Sequence, residues 1–295
     1  MISKRNKQIL LSFWRDKYKK NWFQIIKEFT NLFFLEKKIP INYITTFIYR
    51  ESAHNYKDYL SIKESERLLQ WSYSKGKKHI VLTENKLLFE ELLVNNNIPT
   101  PQIFFHNSKN AFTYKNNVYQ IENKKDFFCF LENVFNELNV TRIFCKPMEG
   151  SKGQNIFILD KETFRNLTDT LIKLILSQSF IFQEVILQHE SLNKVNPFNV
   201  STLRVVTYKN NNNEVVILSG LIRFGRIGAI VDNSHAGGLF VSFNKETGQI
   251  RDEGVQLLDN GGGVFYKHPD TGIVFDGFQI PCFNEVRNIV IKASD

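Results

Sequence analysis

A lysine, a proline and a glycine loop stand together in residues 144–157, FCKPMEGSKGQNIF. The apolar run 142–145 reads as a strand that delivers Lys146, and Pro147 breaks it. Gly150, Ser151, Lys152 and Gly153 then make a small cationic loop before a second apolar run, 155–159. Backbone N–H groups of such a loop can face phosphate oxygens while the lysines neutralise charge. The chemistry suggested is the holding of a polyphosphate. It is not a Walker loop, because no G-x-x-x-x-G-K-[ST] precedes a helix. The same residues also read as a plain β-hairpin with a glycine turn and two surface lysines.

Further along, Gln183, Glu184, Val185, Ile186 and Leu187 end one apolar strand and begin an extended apolar segment. One carbonyl and one N–H of such a segment match the donor and acceptor of adenine, and its aliphatic side chains can sandwich the ring. His189 or Glu190 could accept from ribose hydroxyls. An ordinary strand followed by a loop is the alternative. Arg204 interrupts the apolar run 202–208, and Arg223 ends the partner run after the asparagine turn 210–213. A guanidinium on a strand in a cleft suits two-pronged capture of carboxylate or phosphate. Asp232, Asn233, Ser234 and His235 lead into Gly237 and Gly238, a polar loop with free backbone N–H groups. The turn 268–272, HPDTG, reads as structural.

Composition narrows the classes. The chain has 295 residues, 42% of them hydrophobic, enough for one large domain or two to three small ones. No run of 18 apolar residues exists, so no spanning helix is expected. The first residues lack the pattern of a signal peptide. Three widely spaced cysteines (Cys129, Cys145 and Cys282) read as buried thiols in a reducing cytoplasm. The net charge of +8 is lopsided: residues 1–38 hold ten Lys/Arg against three Asp/Glu. A nucleic-acid enzyme would carry that excess around its site, so no nucleic-acid partner is expected.

These groups need elements to hold them. Apolar residues at helical steps from Ile9 to Phe33 predict an amphipathic helix broken near Asn21. Its cationic side allows contact with an anionic membrane surface through residues 1–38; a helix packed on its own domain with a solvated basic face is the preferred reading. Ser61 and Glu64 have capping-box spacing for a helix ending before Gly76. A strand is expected at 79–82, then a helix over 84–95 capped by Thr83 and closed by Ile98 and Pro99. Strands follow at 102–105, 111–114 and 118–121, and helices at 125–138 and 161–176. The last part is β-rich, with strands at 180–183, 202–208, 214–223, 227–231, 239–243 and 264–266.

The order of these pieces resembles the ATP-grasp superfamily, and within it the family associated with sugar transfer. The set is Lys86 before a helix, Lys146 with its glycine loop, Gln183 and Glu184, Arg204, Arg223, then Asp232, Asn233 and the Gly237–Gly238 pair. The resemblance spans roughly residues 80–285. It implies an α+β ATP-grasp fold with a helical N-terminal extension and an incomplete C-terminal lobe. The expected divisions are a helical region 1–76, a pre-ATP-grasp part with the first ATP-grasp lobe over 77–185, and a truncated second lobe 186–295.

The resemblance also implies roles. Lys86 and Lys146 would bind ATP phosphates, and Ser151 to Gly153 would close over the β- and γ-phosphates. Glu184 to Ile186 would be the adenine hinge. Arg204, Arg223 and Asn233 would face the transferred phosphoryl group. Such proteins join a carboxylate to an amine through an acyl phosphate, here a sugar carboxylate in capsule or other surface polysaccharide. They hold Mg²⁺ with an acidic strand residue and a Glu-x-Asn motif. No Glu-x-Asn occurs in the final hundred residues. Asp232 is then the most plausible carboxylate near the site, and the metal ligands are unknown. The expectation is therefore an ATP-dependent carboxylate–amine ligase, with a catalytically incomplete ATP-binding protein or a phosphotransferase of the same fold as alternatives.

Overall fold

The structure is a computed structural model that describes residues 3–76, 80–150 and 153–294. Helices α1 (Lys4–Arg15), α2 (Trp22–Glu36) and the short α3 (Ile41–Thr45) open the chain. The break near Asn21 is real: Asn21 caps α2, its side chain accepting from Gln24 N. α4 (Ile62–Gly76) starts with a reciprocal capping box, Ser61 N donating to Glu64 and Glu64 N to Ser61 Oγ.

The expected strand at 79–82 is not formed. His79 lies outside the described residues, and Ile80–Glu84 is the short helix α5. A four-residue apolar run does not distinguish strand from buried helix. Asn85, not Thr83, caps the next helix α6 (Lys86–Asn95), accepting from Leu87 N and Leu88 N. This moves the helix start onto Lys86.

The first sheet holds β1 (Ile103–Ser108), β2 (Ala111–Tyr114), β3 (Asn117–Gln120), β4 (Arg142–Pro147), β5 (Phe157–Asp160) and β6 (Ser179–Gln183). Its order is β3-β2-β1-β6-β4-β5, every pair antiparallel. Helices α7 (Lys124–Leu138) and α8 (Asp169–Ser177) cover one face with Phe127, Leu131, Phe135 and Ile175, against Phe105, Ile143, Cys145 and Phe182 of the strands. The single helix expected over 161–176 is instead a 3-10 turn, Phe164–Asn166, followed by α8. Thr168 caps α8 from within that span, and Phe164 turns into the core.

The short helix α9 (Glu190–Val195) leads to the second sheet: β7 (Thr202–Lys209), β8 (Val215–Phe224), β9 (Leu239–Phe243), β10 (Ile250–Gln256) and β11 (Val264–Phe265), in the order β11-β10-β9-β8-β7. Helix α10 (Phe283–Ser294) packs on it with Phe283, beside Ile222, Phe224, Val241 and Phe275. Residues 227–231 are a loop rather than the expected strand. Asn199 Nδ2 donates to the carbonyls of Arg226 and Ala229, and Asp270 accepts two bonds from Arg226 and one from Ile227 N. Side chains thus take the backbone groups that a ladder would use. Of the three cysteines only Cys145 is buried; Cys129 and Cys282 are exposed, contrary to the reading of all three as buried.

The N-terminal helices form a core of their own with Ile25, Leu32, Tyr43, Ile48 and Tyr49, and Leu258 of the second sheet's loop enters it. Arg50 fastens the two parts, paired to Asp16 at 2.8 Å and donating to the Gly262 carbonyl at 2.6 Å. No helix among the described residues is long and apolar enough to cross a membrane.

Candidate functional site

Strand alternation decides where the cations point. On β4, Ile143 and Cys145 face the core under α7, so Lys146 faces the other side. It pairs across the ladder with Ile181, and Phe144 with Gln183, so Lys146, Ile181 and Gln183 share one face. There Lys146 meets Glu90 of α6 in an ion pair. Glu90 was not foreseen in the sequence. It stands one helical turn after Lys86, a spacing that puts the two on one side of α6.

Lys86 is tied to the glycine loop. Its Nζ donates to the Gly150 carbonyl at 2.9 Å, and its backbone N to the Met148 carbonyl at 3.1 Å. Burial first, and then the neighbouring Lys146, pushes the Lys86 ammonium below the usual lysine range. Lys86, Lys146, Gly150 and Gly153 line a cavity of about 240 Å³. Ser151 and Lys152 lie outside the described residues. Gly153 has φ +71, and a Cβ there would come within 3.0 Å of Val231. A side chain at this position would be strained by the positive φ and would crowd the Val231 side chain of the loop 227–231.

A second cavity, of about 670 Å³, opens on the other side of Gly153 and Ile156, which line both. Its floor is one face of the second sheet. Leu203 and Val205 pack toward the core, as do Ile222 and Phe224. Arg204 and Arg223 therefore point the other way, and the register sets Thr202 opposite Arg223. Arg204 is exposed. Arg223 is held: it donates to Thr202 Oγ1 and pairs with Asp232 at 3.0 Å. Asp232 is 4% exposed, and its other oxygen accepts from the N and Oγ1 of Thr202. Asn233 accepts from His235 N, shaping the turn that lines the cavity. Gly238 closes the turn, where a Cβ would lie 2.8 Å from the Asp232 carbonyl.

The segment expected to be the adenine hinge runs off β6. Glu184 is committed to the start of β1: its N donates to the Gln102 carbonyl at 2.9 Å, and its Oε1 accepts from Gln102 N at 2.8 Å. Gln183 is buried, and its Oε1 has no partner among the described residues. Val185 is half-buried, while Ile186 and Leu187 are exposed. His189 caps α9, its Nδ1 accepting from Ser191 N, and Glu190 is the first residue of that helix. His235 makes a 3.4 Å contact with Asp259, which is also paired to Arg5 of α1.

Two lysines, a glycine loop and the orphaned Gln183 acceptor fit a nucleotide polyphosphate and an amine-bearing base. A divalent cation does not fit in the same way. Both Asp232 oxygens are spent on Arg223 and Thr202. Among the described residues no three of His, Cys, Asp and Glu come together.

Two antiparallel sheets, with Lys146 and the glycine loop on the first, Lys86 on helix α6 beside it and the arginines on the second, define a nucleotide-binding protein of the ATP-grasp class. The chain belongs to the sugar-transfer associated ATP-grasp family, whose model matches residues 67–295. The helices α1 to α3 precede the matched region. No curated protein and no solved structure matches the chain.

Proposed function

We propose that the chain is an ATP-dependent carboxylate–amine ligase that modifies a bacterial surface polysaccharide by joining an amine to a sugar carboxylate. The observation that carries this reading is the pair of adjoining cavities, one lined by lysines and one by arginines, that share Gly153 and Ile156. A phosphoryl donor in the first would sit next to an anionic acceptor in the second. In this reading Lys86, the first sheet and the segment 183–190 serve the nucleotide, and the second sheet serves the acceptor. The substrates are cytoplasmic ones, since ATP is supplied there.

A carboxylate does not condense with an amine at neutral pH, because its carbon is a poor electrophile. Attack of the carboxylate oxygen on the γ-phosphorus forms an acyl phosphate and releases ADP. The amine then attacks the acyl carbon, and inorganic phosphate leaves as the amide forms. Bound ATP supplies the phosphoryl group. Lys86 and Lys146 would neutralise its phosphates, and the loop N–H groups near Gly153 would orient them. Gln183 Oε1 would accept from the adenine amine, with Val185 and Ile186 along the ring. His189 and Glu190 would lie toward the ribose. Arg204 would receive the carboxylate, while Arg223, braced by Asp232, and Asn233 would face the developing acyl phosphate. Asp232 offers no free oxygen to a metal ion, since Arg223 and Thr202 engage both.

That engagement of Asp232 favours a second reading, an ATP-binding protein of this family that does not turn ATP over; a phosphotransferase to a hydroxyl is the further alternative on the same fold. A coupled assay of ADP release separates them. A ligase releases ADP continuously only when a carboxylate and an amine are both present. A phosphotransferase releases it without the amine, and a non-catalytic protein binds ATP without release.

A further inference from the structure

The outward side of the N-terminal helices has the wrong composition for a surface meant to face water. α2 buries Ile25, Glu28 and Leu32 against the N-terminal core. Its opposite side carries Phe23, Ile26 and Phe34, 80%, 61% and 72% exposed, with Phe33 beside them. Phe23, Ile26 and Phe34 fall on one side of the helix, with Thr30 the polar residue between them, so α2 has a second, mostly apolar stripe. A helix apolar on both sides normally lies inside a protein, yet this one lies outside. The preferred expectation of a packed helix with a solvated basic face therefore describes only the inner side.

The stripe continues onto α1. Trp14, 67% exposed, meets Trp22 with ring centroids 5.0 Å apart, and Leu10 and Leu11 lie one turn before it. Cations surround this patch. Lys7, Arg15, Lys17, Lys27, Lys37 and Lys38 are exposed, and Lys19 sits over the Trp22 ring at 5.3 Å. Exposed carboxylates are scarce there, since residues 1–38 contain only Asp16, Glu28 and Glu36. Asp16 and Glu28 are buried in ion pairs with Arg50 and Lys20.

We propose that this face of α1 and α2 docks on an anionic lipid surface. Phe23, Ile26, Phe34 and Trp14 would enter the boundary between headgroups and acyl chains, and the surrounding lysines would meet lipid phosphates. Charge complementarity selects this occupant: an apolar patch ringed by cations, with its carboxylates turned inward, matches a surface that is apolar beneath and negative above. Trp and Phe favour that boundary because one part of the ring is wet and the other is not. The inference is independent of the ligase reading, since no proposed catalytic residue lies on α1 or α2.

The test is co-sedimentation of the full chain with phosphatidylcholine vesicles and with vesicles containing phosphatidylglycerol. Binding is expected only to the anionic vesicles, weakening as salt rises toward 1 M, where the screening length falls to about 3 Å. Phe23→Glu combined with Phe34→Glu should reduce vesicle binding by about tenfold or more. Because both side chains are exposed, the thermal midpoint and ATP affinity should not change. The proposal is overturned if the intact chain ignores anionic vesicles at low salt. It is equally overturned if the double substitution leaves binding intact. A self-associated form that the same substitutions dissolve, without vesicle binding, would assign the face to a second copy of the chain instead.

Discussion

The Lys146 ammonium is paired with the Glu90 carboxylate, and the second Glu90 oxygen is buried without a hydrogen-bond partner among the described residues. The lysine proposed for ATP phosphates thus rests on an internal anion that a phosphate would have to compete with. Lys146→Ala should weaken ATP binding by about 1.5–3 kcal/mol, the worth of a hydrogen bond to a charged group. Glu90→Gln should act in the opposite sense on affinity, because it removes a negative charge beside the phosphates. It should also lower the thermal midpoint, since a partly buried ammonium loses its partner. Titration calorimetry and thermal melts check both. Loss of affinity in Glu90→Gln equal to that of Lys146→Ala would mean that Glu90 acts by positioning the lysine.

Lys86 gives a pH prediction. Its pKa is pushed down by burial and by Lys146. The charged form binds phosphate, so ATP affinity should fall as pH rises through that lowered pKa, earlier than for an ordinary lysine. Lys86→Arg should remove this alkaline decline, because a guanidinium does not titrate there. Dissociation constants measured across alkaline pH for both proteins read it. Parallel profiles would take Lys86 out of the site.

Asp232 braces Arg223 rather than standing free. Asp232→Asn should leave ATP affinity nearly unchanged. ADP release should fall by about tenfold or more as Arg223 loses its orientation. Fluorescent-nucleotide binding and the coupled assay, run side by side, separate the two effects. An equal loss in both would place Asp232 against the nucleotide.

The Arg226–Asp270 pair holds the loop that carries Val231 and Asp232. Hydrogen bonds from Arg226 hold the Asp270 carboxyl down at about 2. An unfolded aspartate titrates near about 3.9. The pair's contribution is therefore complete above about pH 4 and is lost as pH falls through about 2. Asp270→Asn should cost about 1–2 kcal/mol at neutral pH and little at pH 2. Urea unfolding at the two pH values checks this.

The first sheet was legible because β2 alternates cleanly up to its turn and α7 shows a full helical period. The Asn21 break and the Ser61 capping box were legible because each uses one local hydrogen-bond pattern. β10 was missed because Arg251, Asp252 and Glu253 interrupt its apolar pattern, and its pairing with β9 is irregular there. Residues 227–231 look like a strand, but long-range bonds from Asn199 and Asp270 keep them a loop. Glu90 was invisible for the same kind of reason. A glutamate on an amphipathic helix reads as solvated until the strand carrying Lys146 is laid beneath it.

In the proposed reaction phosphate passes from ATP to a carboxylate before the amine arrives. Oxygen labelling tests this most directly. With a uronic acid labelled with ¹⁸O at both carboxylate oxygens, unlabelled ATP and an amine, mass spectrometry of the inorganic phosphate should find one ¹⁸O in each newly formed molecule. The bridging oxygen of the acyl phosphate leaves with phosphorus when the amine attacks carbon. Phosphate released without label would show that water, not the carboxylate, takes the phosphoryl group, and would contradict the account.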